Sequence, residues 1–346
     1  MFCKKRGRLV LQFHITGRCN LRCKHCYRVE GDAQALSYED VIRVIDEFSA
    51  LCRIYNQRHG IKKRGHINLT GGEPFMRKDL PQILRYLGER SNSLTYSVLS
   101  NGSFLTEEMI CLLKETKISF LQLSIDGTRK THDALRAAGD YRRVLRTAAQ
   151  LERAGIPTHI SFTANRNNFR QLTKVAAACR RHGITRLWSD RLVPIGNAKD
   201  MEALTITKQW LPAYLRTLKK AQGNFFTRMF YPKTQVSANR ALQFLEGNGS
   251  IYTCAAGESL ITVDEFGRIM PCRRMPIVCG DVFANTLEEV YYHHPVFQDL
   301  QKPFIPPECA GCQYGALCAG GARCQSYAVL GDYHRADPAC SLPLKE

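Results

Sequence analysis

The chain has 346 residues, of which 44% are apolar, and can bury the core of one large domain and a smaller one. No apolar run approaches the roughly 20 residues of a membrane span, and Gln12 and His14 interrupt the apolar stretch near the N-terminus, so we expect a cytoplasmic protein without membrane contact or signal peptide. The net charge of +18 favours anionic partners without selecting among them, and a generally basic surface explains it equally well.

Apolar, β-prone runs alternate with helical patterns over the first two thirds of the chain. The six predicted strands are Leu9 to Ile15, His66 to Leu69, Leu94 to Leu99, Phe120 to Ile125, His159 to Phe162 and Arg186 to Val193. Ser37 and Asp40 form a capping-box pattern at the start of the first helix, and Gly155 and Gly183 suit the ends of later helices. Six such units predict an α/β fold with a parallel sheet, open or partly closed as a (β/α)6 TIM-type barrel, whose ligands bind at the carboxyl ends of the strands.

The pattern changes after about Gln222, where cysteines become dense among glycines and prolines. We therefore predict a core domain over residues 1–231 and a smaller cysteine-rich domain over residues 232–346. Because the cytosol is reducing, the 15 cysteines of the chain indicate metal or cluster ligation in preference to disulfides.

The first cysteine motif follows strand one directly and reads Cys19-Asn-Leu-Arg-Cys23-Lys-His-Cys26-Tyr27. Three thiolates can ligate three irons of a [4Fe–4S] cluster and leave the fourth iron open to a bidentate small molecule. A zinc site is the alternative, but it would want a fourth ligand, and His25 lies within the same tight loop. The spacing therefore favours a cluster.

This motif resembles the signature of the radical S-adenosylmethionine (SAM) superfamily. The resemblance implies that Cys19, Cys23 and Cys26 hold a catalytic [4Fe–4S] cluster whose open iron binds the amino and carboxylate groups of SAM. In that family an electron from the cluster cleaves SAM and yields the 5′-deoxyadenosyl radical. A reductant such as flavodoxin or ferredoxin is then an expected partner.

Other strand ends resemble the SAM-binding motifs of the same superfamily. Gly71-Gly72-Glu73-Pro74 after strand two resembles the GGEP motif, whose carbonyl and acid hold the SAM amino group. Ser100 after strand three resembles a segment near the ribose, and Asn165 after strand five is a further candidate for contact with SAM.

Strand four ends in Ser124-Ile125-Asp126-Gly127, and Arg136 follows. These residues resemble a pattern of peptide-modifying members in which the serine and the arginine bind the SAM carboxylate, as the fork geometry of arginine suits. Asp126 is a candidate for cofactor binding, with a simple turn acid as the alternative.

The C-terminal cysteines resemble the SPASM extension of this superfamily, which carries auxiliary [4Fe–4S] clusters. The resemblance assigns four thiols to one auxiliary cluster, namely Cys309, Cys312, Cys318 and Cys340. It assigns three to the other, namely Cys254, Cys272 and Cys324.

The SPASM match is incomplete at one position. The cysteine expected after Cys318 falls at Ala322, and Cys324 comes two residues later. The fourth ligand of this cluster is therefore open: Cys279 can supply it, or the site stays open to substrate, so one or two auxiliary clusters are expected. Structural zinc is the alternative, because Cys309-x2-Cys312 can also begin a zinc ribbon.

The remaining cysteines look structural. Cys52 and Cys179 continue the apolar faces of their helices and are expected to be small core residues. Cys111 lies in a similarly apolar helix. Cys3 receives no assignment.

Most proteins of this two-part form modify ribosomally made peptides (RiPP maturation) or proteins by cross-linking, epimerisation or backbone excision. We therefore expect a peptide or protein substrate. Strand one begins too early for a fused leader-binding domain, so leader recognition would need a separate partner or the basic surface itself. In a sulfatase-activating branch of the family, an acidic residue follows the cysteine of the G-x4-C motif. Here Arg273 follows that cysteine, Cys272, which argues against this branch.

Three alternatives remain. Small-molecule cofactor synthesis of the quinone or haem type uses the same architecture. RNA modification suits the charge, but the sequence lacks an RNA-binding platform, so we do not expect nucleic acid as a partner. An electron carrier would leave the strand-end motifs without purpose.

Overall fold

The computed structural model describes residues 7–28, 36–247 and 250–342. The strands in these residues are β1 (Val10–Thr16), β2 (Gly65–Gly71), β3 (Leu94–Leu99), β4 (Phe120–Ser124), β5 (Thr158–Ala164), β6 (Arg186–Arg191), β7 (Gln235–Ser237), β8 (Leu260–Val263), β9 (Arg268–Met270) and β10 (Gly280–Asp281). The helices are α1 (Tyr38–His59), α2 (Leu80–Glu89), α3 (Glu107–Glu115), α4 (Arg129–Leu135), α5 (Asp140–Arg153), α6 (Leu172–Arg181), α7 (Leu211–Gln222), α8 (Phe225–Phe230), α9 (Leu287–His293), α10 (Pro295–Gln301), α11 (Gly315–Cys318) and α12 (Arg323–Leu330).

All of these strands form one sheet in the order β10-β9-β8-β1-β2-β3-β4-β5-β6-β7. Neighbours from β8 through β1 to β7 pair in parallel, whereas β8, β9 and β10 pair antiparallel. The protein is thus a partial (β/α)6 barrel of the TIM type followed by a cysteine-rich C-terminal region, as predicted. No helix in the described residues is long and apolar enough to cross a bilayer.

The C-terminal region adds strands to both ends of the parallel sheet. Strand β7 pairs with β6, and β8 pairs with β1 in the register Val10 opposite Leu260. These strands are three and four residues long, too short for a periodic pattern to reveal them in the sequence. The region beyond residue 232 therefore shares the sheet of the barrel.

The predicted helix signals are confirmed. Ser37 caps α1, and its capping box with Asp40 is complete. Gly155 and Gly183 follow α5 and α6 with positive φ angles, as the left-handed position after a helix requires.

Both predicted core cysteines are buried: Cys52 at 6% exposure and Cys179 at 0%. Cys111 also lies in an apolar helix, but its side chain is exposed. The short helix α3 buries Leu112 and Leu113, and the 100° step per residue turns Cys111 away from that face. Cys3 lies outside the described residues.

The end of β6 holds the C-terminal region against the barrel. Asp190 Oδ2 pairs with Arg274 Nη2 at 2.7 Å, and Arg191 Nη1 donates to Asp337 Oδ1 at 2.9 Å. Arg191 and Asp337 are buried. Two adjacent residues of one strand thus fix two separate segments of the cysteine-rich region.

Candidate active site

The loop after β1 carries Cys19, Cys23 and Cys26 and is held by backbone contacts. Lys24 N donates to Leu135 O at 3.0 Å, and Ala198 N donates to Cys26 O at 3.3 Å. Gly196, with φ +61°, lies so close to the loop that an added Cβ would be 2.3 Å from Tyr27 O. The loop is therefore fixed over the carboxyl ends of the strands.

A cavity of about 440 Å³ opens beside this loop, a volume suited to a small organic ligand. Of the predicted site residues, it is lined by Cys19, Cys23, Cys26, Gly71, Gly72, Ser100, Ser124 and Arg136. Its wall also holds residues that the sequence did not single out for SAM binding, namely Tyr27, Gln122, Ser161, Thr163, Asn197 and Arg273. The structure thus brings most of the predicted residues together.

Gly71 and Gly72 let β1 and β2 meet closely at the cavity. Gly71 has φ +120°, and a Cβ there would be 2.3 Å from Thr16 O. A Cβ on Gly72 would be 2.0 Å from Arg18 O. Only glycine fits at either position, so this motif shapes the wall through its backbone.

Glu73 lies behind the wall and is fully buried. Its carboxylate accepts hydrogen bonds from Ser100 Oγ at 2.8 Å, Asn101 N at 2.7 Å and Phe75 N at 3.2 Å. Burial raises the pKa of Glu73, and these donors oppose the rise. The buried Pro74 begins a 3₁₀ turn next to it. Glu73 therefore ties the end of β2 to the end of β3.

Arg136 bridges the cysteine loop and strand β4. Its Nε donates to Asp126 Oδ2 at 2.6 Å, its Nη1 lies 3.8 Å from Cys23 Sγ, and its Nη2 is 3.5 Å from His25 Nε2. Asp126 is fully buried and does not line the cavity. Burial would raise the pKa of Asp126, but the Arg136 and His25 charges outweigh it and hold that pKa well below its usual range. The ionised Asp126 thus orients Arg136.

Asn165 does not reach the cavity. Its Oδ1 accepts from Asn167 N at 2.9 Å, and its backbone N donates to Asn168 Oδ1 at 2.7 Å. Ser161 and Thr163, on the preceding strand β5, line the cavity instead.

A buried polar network below the cavity was missed in the sequence. Tyr27 Oη lies 3.3 Å from His14 Nε2, and His14 Nδ1 lies 3.1 Å from Glu265 Oε2. Arg28 forms an ion pair with the same carboxylate. Burial lowers the pKa of His14, although Glu265 opposes this, so a neutral ring is favoured. The available signal was the polar side chains at alternate positions of β1.

Arg273 enters the same cavity from the C-terminal region, just after β9. Its guanidinium carbon lies 5.2 Å from the centre of the Tyr27 ring, and its Nη1 donates to Gln12 Oε1. Burial, together with the positive charges of Arg274 and Arg240, lowers the pKa of Arg273.

Cys254, Cys272 and Cys324 converge beside a small apolar cluster. Burial raises the pKa of the Cys324 thiol well above its usual value, and the other two thiols add to the rise. Cys279 belongs to the main core, and its Sγ is 3.4 Å from Ile277 O.

Four thiols line a second, much smaller cavity of about 20 Å³, namely Cys309, Cys312, Cys318 and Cys340. Apolar side chains such as Phe244 and Leu242 complete its wall. Burial raises the pKa of Cys309 to about 11 and that of Cys318 to about 12, and the Cys340 thiol adds to both rises. Thiolates held this close together need a cationic centre to neutralise them.

The donor sets fit iron–sulfur clusters. Across residues 7–28, 36–247 and 250–342, no three His, Cys, Asp or Glu side chains are placed to hold a single metal ion. The thiol groups border cavities, and thiolates are the ligands that such clusters take.

Two protein-family models match the chain. The radical SAM superfamily matches residues 13–171, and SPASM, described as an iron–sulfur cluster-binding domain, matches residues 248–313. The chain belongs to the radical SAM superfamily. It is a radical SAM enzyme, and its cofactors are a [4Fe–4S] cluster that binds SAM and auxiliary clusters of the SPASM region.

Relatives of the chain carry out different reactions. An AdoMet-dependent heme synthase of Methanosarcina barkeri is 27% identical, over 96% of this chain and 95% of its own. A PqqA peptide cyclase of Granulibacter bethesdensis is 25% identical, over 95% of this chain and 86% of its own. The structure of Streptococcus suis SuiB bound to S-adenosylmethionine gives a TM-score of 0.72 at 17% identity, over 97% of this chain and 77% of its own. The last comparison supports the fold alone.

Proposed function

We propose that this enzyme cleaves SAM reductively and abstracts hydrogen from a ribosomally made peptide or protein, which leads to a post-translational modification. One observation carries the proposal: the cavity that holds the Cys19, Cys23 and Cys26 thiols is also lined by Arg273, from the SPASM region. A cavity shared by the two regions suits a reaction that uses both SAM and the auxiliary clusters.

In this proposal Cys19, Cys23 and Cys26 hold the catalytic cluster, which when bound supplies the single electron that cleaves SAM. Arg136 carries a permanent charge. Burial alone would lower its pKa, but the neighbouring Asp126 carboxylate raises the pKa by more than burial lowers it. With Ser124 across the same wall, Arg136 binds the SAM carboxylate and stabilises the neighbouring Cys23 thiolate.

The other predicted residues shape that site. Gly71 and Gly72 present backbone groups to the SAM amino group, with Glu73 and Pro74 fixing their position. Ser100 lies on the ribose side. Asn165 holds the loop after β5, because its side chain is used within that loop.

The two C-terminal thiol groups hold the auxiliary clusters. Cys309, Cys312, Cys318 and Cys340 form a complete set of four ligands for one. Cys254, Cys272 and Cys324 supply three ligands for the other.

The proposed partners are a peptide or protein substrate, a separate leader-binding protein and a reductant such as flavodoxin or ferredoxin. Unpaired thiols suit a reducing compartment, so we propose the cytoplasm as the location.

The direct test uses the reconstituted enzyme under anaerobic conditions with a candidate precursor peptide encoded by a short neighbouring reading frame. We expect the mass of the peptide to change only when SAM and reductant are both present. An unchanged peptide, with SAM cleavage intact, would contradict the peptide assignment.

Synthesis of a haem-type cofactor is the second candidate. The observation that favours it is the nearly complete mutual coverage between this chain and the heme synthase relative. Incubation with an iron coproporphyrin separates the two: a SAM-dependent change in its absorption spectrum and mass would favour cofactor synthesis.

A further inference from the structure

Arginines dominate the charge of the cavity wall. Among the described residues that line it are Arg18, Arg22, Arg28, Arg136 and Arg273, and none of the described lining residues is Asp or Glu. Such a wall attracts anions, and the shielded arginines matter most because water screens them least.

The three shielded arginines of the wall differ in their partners. Arg28 pairs with Glu265, and Arg136 pairs with Asp126. Arg273 instead donates to the neutral amide of Gln12 and lies over the ring of Tyr27. No carboxylate in residues 7–28, 36–247 and 250–342 forms an ion pair with Arg273. A desolvated guanidinium without an anion is costly, so this position favours an anionic ligand.

The neighbouring residue shows the opposite arrangement. Arg274 pairs with Asp190 at 2.7 Å and is thereby committed to the contact between β6 and the C-terminal region. Arg273 has no such commitment. The described contacts of its guanidinium are one hydrogen bond to Gln12 and the position over the Tyr27 ring, so further N–H donors remain available to a carboxylate.

Arg273 also lies apart from the proposed subsite for SAM. It follows β9, whereas Ser124 ends β4 and Arg136 follows α4, and the sheet order places β8, β1, β2 and β3 between β9 and β4. The single carboxylate of SAM is accounted for at Arg136, so Arg273 is available to a second ligand.

We infer that Arg273 binds a carboxylate of the substrate and so selects an acidic substrate. The identity of this carboxylate rests on the proposed function: in a peptide substrate, it is the side chain of an Asp or Glu residue. The charged fork of Arg273 favours that residue over its amide counterpart by roughly tenfold or more in affinity.

The first experiment needs no variant. Holoenzyme with SAM is treated with phenylglyoxal, which modifies accessible arginines, and the rate at Arg273 is followed by mass spectrometry. The probes are two pentapeptides, Gly-Gly-Glu-Gly-Gly and its Gln counterpart, both capped at the termini, and coproporphyrin, a tetracarboxylate. We expect the Glu peptide to slow modification of Arg273 and the Gln peptide to have little effect.

The second experiment measures binding of the two radiolabelled peptides by equilibrium dialysis. Wild type should prefer the Glu peptide by about tenfold, Arg273→Gln should abolish this preference, and Arg273→Lys should retain part of it. Arg142→Gln, an exposed substitution on α5 that removes the same charge, should leave the preference unchanged. Unchanged cluster absorbance shows that each variant is folded.

The outcomes separate the two levels of inference. Protection by coproporphyrin and not by the Glu peptide supports a carboxylate-binding Arg273 and contradicts the peptide function. Equal protection by both peptides, or no protection by any probe, overturns the role of Arg273. If Arg273 only held Tyr27 and Gln12 in place, Arg273→Gln would weaken binding of both peptides equally. That result would also overturn the proposed role of Arg273.

Discussion

The two best-defined thiol sites of the protein differ in how open they are. Cys19, Cys23 and Cys26 border a polar cavity of about 440 Å³, and Cys19 is exposed. The four C-terminal thiols border an apolar cavity of about 20 Å³. An open site admits a small molecule to an unligated iron, whereas a closed site with four ligands protects its cluster from solvent. The same ligand chemistry therefore suits two tasks.

The largest effect is expected from removing the three thiols of the open site. Replacement of Cys19, Cys23 and Cys26 by Ala should abolish cleavage of SAM to 5′-deoxyadenosine, because no thiolate then holds the catalytic cluster. Chromatography of anaerobic reactions containing a reductant measures the product. Wild-type amounts of 5′-deoxyadenosine from the triple variant would contradict the assignment.

Removing the four C-terminal thiols should separate SAM cleavage from peptide modification. Replacement of Cys309, Cys312, Cys318 and Cys340 by Ala should stop peptide modification while SAM cleavage persists, because cleavage needs only the open site. Iron content should fall by about four per chain, from about twelve if three clusters are present or about eight if two are. A folded variant that modifies the peptide at the wild-type rate would contradict a functional role for this cluster.

The contact between the regions offers a smaller, structural effect. Arg191→Met leaves the buried Asp337 carboxylate unpaired and should lower the free energy of unfolding by about 3–5 kcal/mol. Anaerobic urea unfolding measures it. The matched control is Arg335→Met, which breaks the pair between the exposed Arg335 side chain and Glu308 in the same region and should change stability much less. Equal effects of the two substitutions would argue against Arg191 as an anchor.

The smallest effect concerns acid. His66, on β2 below the open site, has its pKa lowered to about 3 by burial, with Arg8 adding to the effect. The unfolded state takes up the proton first, so stability is full above about pH 6.5 and is lost as pH falls towards 3.

As pH falls from 6.5 to 5, protonation linked to His66 should lower the free energy of unfolding by about 2 kcal/mol. His66→Gln should flatten the dependence of the urea midpoint on pH over that interval. His182→Gln, at an exposed position, should leave it unchanged. A wild-type slope in His66→Gln would show that another group is responsible.

Local patterns predicted the barrel well, because each of its six units repeats a strand, a turn and a helix within the sequence. The strand-end motifs also placed Ser124 and Arg136 on one cavity. Sequence could not show that Asp126 turns inward to hold Arg136, or that the side chain of Asn165 is used within its own loop, since both depend on side-chain direction.

Contacts between segments far apart in the sequence could not be predicted either. His14 and Glu265 meet across 251 residues of sequence, and Arg273 meets Gln12 across 261. These contacts depend on the pairing of β8 with β1, and a four-residue strand leaves no periodic signal. The residues that we propose for substrate selection therefore emerge only from the three-dimensional arrangement.

The pairing of β1 with β8 has a consequence for how the protein is made. Strand β1 lies within the sheet, yet one of its neighbours is encoded some 250 residues later, in the register Val10 opposite Leu260. During synthesis one edge of β1 stays unpaired until β8 has left the ribosome, and such edges can pair with other chains. The cysteine loop follows this strand directly, so its support is complete only after β8 has been made and has paired with β1. Cluster insertion is then best timed after synthesis, when the C-terminal region has closed the sheet.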